Sequence, residues 1–305
     1  MRGRDLTSIL DLTPEELSEI LDVALAMKRD GAPPVLSGRT LALVFEKPSL
    51  RTRVSFELAM TNLGGRVTYL EAHQVRMGER EPIRDVARVL ARMVHGIAVR
   101  TFAHETVVEL GRWADIPVIN ALSDQEHPCQ ALADLLTLRE QLGSVRGARL
   151  AYIGDGDNNV ARSLAYASML AGIEFVAASP AGFELPAADV AQARALPGGG
   201  SVTLTQDPVE AVRGSAAVYT DVWTSMGQES EAEARREHFA GFQVNAALLA
   251  HAPGALVMHD LPAHRGEEIT DEAIESERSV VFDQAENRMF AQQAVLSLVM
   301  GDTAA

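Results

Sequence analysis

The chain has 305 residues, 47% hydrophobic and 23% charged, which suits two ordinary domains with substantial cores and makes a soluble α/β protein the expectation. Lys and Arg number 27 against 42 Asp and Glu, a formal net charge of -15, so the overall field opposes nucleic acid and anionic membranes, and any bound anion must be held by a local cluster. A single cysteine, Cys129, excludes an intrachain disulfide framework and a multi-cysteine zinc site and fits a reducing cytoplasm; the N-terminus has no apolar signal core, and no apolar run reaches the roughly 18 residues of a membrane span.

In chain order, Thr13-Pro14-Glu15-Glu16 reads as a capped helix start, followed by Leu17, Ile20, Leu21 and Ala24 on one face. The apolar run Leu41-Ala42-Leu43-Val44-Phe45 reads as a buried strand that delivers Ser49-Leu50-Arg51-Thr52-Arg53 to the start of a helix. Free N–H groups and partial positive charge at such a start, joined by two hydroxyls and two guanidiniums, suit a dianion and point to a phosphorylated ligand. Strands are expected at 40–45, 66–70, 96–100 and 118–121, with helices near 50–63, 82–94, 104–113 and 128–142; alternation of this kind argues for a parallel sheet. A second set of strands is expected at 149–154, 173–177, 201–205, 217–220, 256–259 and 280–282.

The fold expected is therefore α/β, with two doubly wound parallel-sheet domains, residues 1–140 and 141–285, and a cleft between them where ligands of doubly wound folds usually sit. The last segment, 286–305, is expected to be a helix packing back on the first domain.

Several constellations carry chemistry. His127-Pro128-Cys129-Gln130 opens a helix, leaving His127 and Gln130 at its start, where a histidine can donate to a carbonyl oxygen. Arg100 ends an apolar strand and so places a fixed cation at a sheet's carboxyl edge. Gly154-Asp155-Gly156-Asp157-Asn158-Asn159 stands between a strand and a helix, where a dinucleotide fold carries its glycine turn, but Asn159 replaces the third glycine, and an amide there suits a carboxylate better than a pyrophosphate. Asp221 with Ser225 again follows a strand; an α-amino acid would satisfy both sets, its ammonium on Asp221 and its carboxylate near Asn159. His259-Asp260-Leu261-Pro262-Ala263-His264 matches no metal motif, and Pro262 breaks the helix that would align it, so no metal is expected. Arg288 alone reads as a solvated arginine near the last helix.

Together these segments resemble the transcarbamylase family over nearly the whole chain, and within it the ornithine enzymes. The markers are Phe45 through Arg53, Asp85-Val86-Ala87-Arg88-Val89-Leu90, His127-Pro128-Cys129-Gln130, Asp221 through Gly227, His259-Asp260-Leu261-Pro262 and Phe282 through Arg288. The resemblance implies carbamoyl phosphate on Ser49, Leu50, Arg51 and Thr52, completed by Arg76, Arg100, His127, Gln130, Asp260, Leu261 and Arg288. It implies L-ornithine on Asn159, Asp221, Ser225 and Met226, and a catalytic set of Arg51, Thr52, Arg100, His127 and Asp260. It further implies no cofactor, a cytoplasmic location, and a homotrimer, or a multiple of trimers, whose sites borrow the loop His73 to Glu81 from a neighbour. Two positions depart from the family pattern: Arg76 stands where glutamine is usual, and Asp260 where the ornithine enzymes carry cysteine. Alternatives are a transcarbamylase for another amine such as acetylornithine or putrescine, a nicotinamide dehydrogenase, and a non-catalytic binding protein of the same fold.

Overall fold

The computed structural model describes residues 1–71, 75, 77–224 and 229–301. The chain divides into two compact units, Met1–Leu136 with Glu286–Ala305, and Thr137–Ala285.

The first unit opens with a 3-10 turn, Ile9–Asp11, and helix α1, Pro14–Asp30. Thr13 caps α1 by accepting from the Glu16 N–H at 3.2 Å, and the Glu16 carboxylate reaches back to the Thr13 N–H at 3.1 Å. This reciprocal box, worth about 1 kcal/mol for the cap, starts the helix that buries Leu17, Ile20, Leu21, Ala24 and Met27. Strand β1 (Thr40–Phe45), α2 (Leu50–Asn62), β2 (Arg66–Glu71), α3 (Ile83–Leu90), β3 (Gly96–Arg100), α4 (His104–Trp113), β4 (Val118–Leu122) and α5 (Pro128–Leu142) follow. The helix expected to run to residue 94 stops at Leu90, because the His95 N–H already bonds the Thr40 carbonyl at 2.8 Å and the chain must turn to enter β3. The four strands are parallel in the order β2-β1-β3-β4. Leu41 through Phe45 and all of β3 are buried, as befits strands covered on both faces. Strand order reverses between β1 and β3, so their carboxyl ends form the point at which doubly wound sheets bind ligands; Phe45 and Arg100 are partners in register there.

The second unit contains β5 (Arg149–Ile153), α6 (Asn159–Ala171), β6 (Glu174–Ala178), α7 (Ala187–Arg194), β7 (Ser201–Thr205), α8 (Pro208–Val212), β8 (Ala217–Thr220), α9 (Ala232–Phe239), α10 (Ala246–Leu249), β9 (Leu256–His259) and α11 (Asp271–Ile274). Helix α12, Val281–Met300, begins here and continues into the first unit. The five strands are parallel in the order β7-β6-β5-β8-β9, and the reversal falls between β5 and β8. Ile153 pairs with Thr220, and Thr220 with His259, which sets the turn after β5, Asp221 and Asp260 side by side at the sheet's carboxyl edge. One side of this sheet is filled by Ile153, Val218, Val257, Trp223, Phe239 and Val244.

The strand expected at 280–282 is not formed. Only Ser279 bridges to Val257, and Val281 already begins α12, with the Gln284 N–H on the Val280 carbonyl at 2.8 Å. A run of four residues, Ser279-Val280-Val281-Phe282, is too short for periodicity to separate a strand from the first turn of a long apolar helix.

Candidate active site

In the first unit, Ser49 is the N-cap of α2: its Oγ accepts from the Thr52 N–H at 3.3 Å and donates to Thr52 Oγ1 at 3.0 Å. Leu50, first in the helix, is exposed, whereas Thr52 is fully buried. Arg288, from α12, donates to Thr52 Oγ1 at 2.5 Å across 236 positions of sequence. Arg100, His127, Gln130 and Arg288 are all buried. Burial, then the charges of Arg288 and Arg100, holds the His127 imidazole well below its ordinary pKa, so His127 is a neutral hydrogen-bonding group beside two fixed cations. Gln130 donates to Asp134 Oδ1 at 2.8 Å, which fixes the amide and leaves its buried Oε1 without a partner among the described residues. The buried Nε of Arg51 likewise has none. Helix start, guanidiniums and an oriented amide thus offer donors to an anion and one acceptor to an N–H.

Glu126, just before His127, is held from the far end of the unit: its carboxylate accepts from Ser8 Oγ and from the Ile9 N–H at 3.0 Å. Cys129 is buried with its thiol pushed up to about 12 by burial, against the opposing charge of Arg288, so it is inert as a nucleophile.

The second unit carries the opposite chemistry. Asp221 is buried; its Oδ1 accepts from the Val222 N–H at 2.7 Å and its Oδ2 from the amide of Asn158 at 3.3 Å. Burial first, and then the neighbouring Asp260 carboxylate, raises the Asp221 pKa well above the ordinary value, with His259 opposing. His259 lies between carboxylates, 3.3 Å from Asp260 and 3.0 Å from the fully buried Glu268. Its Nδ1 lies 2.9 Å from the Leu261 N and in the neutral ring accepts that N–H, while Nε2 donates toward Glu268. Burial pulls His259 down, but Asp260 and Glu268, with the charge of Asp221, raise it to about 10. Leu261 adopts a left-handed φ of 59°, where side chains are rarely found, and it is held there by that bond to His259.

Asp221, His259 and Asp260 each offer a ligand atom within 4.8 Å of the others, as do His264, Glu267 and Glu268. Both His259 nitrogens are engaged by protein groups, so the first set presents no free imidazole to a metal. Two acids side by side at the sheet's carboxyl edge suit an ammonium.

Among the residues expected from sequence, Ser49, Arg51, Thr52, Arg100, His127, Gln130 and Arg288 fall in the first unit, and Asn159, Asp221, Asp260 and Leu261 in the second. Asn159 is the first residue of α6 and half-buried; the cap that reaches Asp221 is Asn158, which also bonds the Tyr152 hydroxyl at 2.9 Å. Sequence reasoning chose Asn159 and missed Asn158; an Asn directly before an apolar helical run is a cap signal that could have found it. Glu268 had no local signal. Arg76, Ser225 and Met226 lie outside the described residues.

Two doubly wound sheets, one with a cationic pocket and one with an acidic pocket at the switch point, define a protein that takes an anion in one unit and an amine in the other. Residues 4–140 match the aspartate/ornithine carbamoyltransferase carbamoyl-P binding domain and residues 146–299 the Asp/Orn binding domain, and the chain belongs to this family. It is 50% identical to an ornithine carbamoyltransferase of Pyrococcus abyssi, over 99% of this chain and 97% of that one. It is 51% identical to an anabolic ornithine carbamoyltransferase of Pyrococcus furiosus, over 99% of this chain and 98% of that protein. The solved ornithine carbamoyltransferase of Pyrococcus furiosus superposes with a TM-score of 0.94 at 50% identity, covering 98% of this chain and 97% of that one; that of Thermus thermophilus does so with 0.89 at 48%, covering 97% and 98%. No helix among the described residues is long and apolar enough to cross a membrane.

Proposed function

We propose that the protein transfers the carbamoyl group of carbamoyl phosphate to the δ-amine of L-ornithine, giving L-citrulline and phosphate, as a step of arginine biosynthesis. The observation that carries this reading is the neutral, buried His127 beside the charges of Arg288 and Arg100, with Arg288 on the hydroxyl of Thr52 at a helix start. The phosphate takes the N–H groups of the helix start with Ser49, Leu50, Arg51 and Thr52, and Arg76 and Arg288 complete its shell. The carbonyl oxygen takes Arg100, His127 and Thr52, and the carbamoyl N–H₂ donates to the open Oε1 of Gln130.

The neutral δ-amine attacks the carbonyl carbon. A C–N bond forms, the carbonyl electrons move onto oxygen, and that oxyanion is stabilised by donors already in place. Collapse breaks the C–O bond to phosphate, which leaves with its electron pair, and the amine's surplus proton passes to the carboxylate cluster or to the departing phosphate. In water an alkylamine of this kind has a pKa of roughly 10.4 and is mostly protonated near neutrality. Asp260 therefore has two tasks: to attract the δ-ammonium and to accept its proton. Asn159, Asp221, Ser225 and Met226 hold the α-amino acid end. We further propose a cytoplasmic homotrimer, or a multiple of trimers, in which the loop His73 to Glu81 reaches the neighbouring site. No organic cofactor or metal enters the scheme.

The test is to supply carbamoyl phosphate with L-ornithine, N-acetylornithine, putrescine or aspartate separately and measure carbamoylated product. Citrulline from ornithine alone supports the reading. Product with another amine overturns the acceptor assignment while keeping the donor site, and no product with any of them favours a binding protein.

A further inference from the structure

Two segments build the acceptor side: the turn after β5, residues 154–159, and the chain after β8, residues 221–223. Side chains tie them beyond the strand ends. One tie is the amide of Asn158 on Asp221 Oδ2 at 3.3 Å. The other is Arg235, which comes from α9 and is only 6% exposed.

The Arg235 Nη2 pairs with Asp155 Oδ2 in the turn, and its Nε donates to the Trp223 carbonyl, two residues past Asp221. The guanidinium lies 4.9 Å from the Phe183 ring centroid and 5.4 Å from that of Phe239. The Trp223 indole stacks on Phe239 at 5.8 Å, and Phe183 meets Phe239 at 4.8 Å. Asp155 is itself fixed, its Oδ1 accepting the Asp157 N–H at 3.0 Å while its carbonyl accepts from Tyr152 Oη at 3.1 Å. The same Tyr152 hydroxyl accepts from Asn158. A closed circuit results, Asp155 to Tyr152 to Asn158 to Asp221 along the chain to Trp223 to Arg235 and back to Asp155.

A buried ion pair kept only for stability could be replaced by apolar side chains with little loss. This one has a second arm on a backbone carbonyl of the substrate-side segment, and a planar fork is what lets one cation hold two acceptors in fixed directions at once; an ammonium carries the charge without the fork. We propose that Arg235 is a positioning residue for amino-acid recognition: bridging Asp155 to Trp223, it sets the spacing between the 154–159 turn and Asp221, and hence the fit of the α-amino acid end of the acceptor. This rests on the reading of the second unit as the ornithine side.

The experiment measures citrulline formation by the wild type, Arg235→Lys and Asp155→Asn, varying each substrate in turn, with Trp223 emission recorded in a Trp113→Phe background. Arg235→Lys is expected to raise the KM for ornithine about tenfold or more, with a smaller change in kcat and an unchanged KM for carbamoyl phosphate, because a misplacement of about 1 Å is enough for losses of that order. Trp223 emission should shift in the same variant. Asp155→Asn, which keeps an acceptor oxygen for the guanidinium, should raise the ornithine KM less, and it decides the matter if Arg235→Lys does not fold. An unchanged ornithine KM, or a parallel rise in both KM values with a fall in kcat and Tm, overturns the proposal and makes Arg235 a stability residue. A wild type that forms no citrulline overturns instead the ornithine reading beneath it.

Discussion

The two sheets use the same topological point in opposite ways. At the reversal between β1 and β3 the first unit gathers Arg100, Arg51 and Arg288 around a helix start; at the reversal between β5 and β8 the second gathers Asp221 and Asp260 beside a capped turn. The strand ends alone therefore do not select a ligand; the residues just beyond them do. The supports differ as well. Cations of the first pocket are fixed charges, whereas Asp221 in the second is pushed toward its neutral form by burial and then by the Asp260 carboxylate. One pocket is a fixed field, and the other is a proton-sensitive one.

That contrast can be broken at either end. The largest effect is expected on the cationic side: Arg51→Ala and Arg100→Ala should fold, by circular dichroism, yet lose most of their turnover, about a thousandfold for Arg100, since removal of one donor to a developing oxyanion costs about 3 to 4 kcal/mol. Near-normal turnover in either would defeat the donor assignment. Next, Asp221→Asn should weaken ornithine by about a hundredfold with carbamoyl phosphate binding unchanged, read by calorimetry with each ligand, because a buried charge pair is lost on one side only. A smaller effect sharpens the proton argument. In Asp260→Asn the Asp221 carboxyl loses a like charge, its pKa moves down, and the acid limb of the kcat/KM profile for ornithine should move to lower pH; a limb that stays put would detach Asp260 from Asp221.

The smallest concerns stability. His259 is raised from about 6.5 to about 10 in the fold, so it binds its proton more tightly folded than unfolded. Its contribution is complete below about pH 6.5 and is lost as pH rises through about 10. Glu268→Gln removes one of the carboxylates that raise it, so the decline of Tm, which still begins near pH 6.5, should be smaller in total and level off at lower pH than in the wild type. Coincident profiles would contradict that linkage.

Much of the frame was legible because it is local. Leu41 through Phe45 and Gly96 through Val99 are continuous apolar runs of strand length, and Thr13 with Glu16 announces α1 within four residues. Where a short run abuts a long helix, as at Val280 to Phe282, the same signal misleads. In the site, Ser49, Thr52 and Arg100 were readable from their place at element ends. Arg288 was not, since its partner Thr52 is 236 residues away, and by itself it looks like any helix arginine. Asn158 and Asn159 are adjacent amides, and only the cap geometry tells which one turns inward to Asp221. Arg235 and Glu268 escaped altogether: charged residues in polar stretches, they owe their roles to carboxyl and carbonyl groups brought to them by the sheet.

The return of α12 to the first unit has a consequence for biosynthesis. Ser49 through Arg53 leave the ribosome well before the guanidinium that meets Thr52, which follows 236 residues later, after the whole second unit. Domains tend to fold in order of emergence. A chain stalled or cut just before Glu286 would hold every residue of the acceptor side, Asp221 and Asp260 included, and would still lack part of its phosphate pocket. Capture of the donor is thus withheld until the second unit has been made, and chains cut before Glu286 should be unable to sequester carbamoyl phosphate.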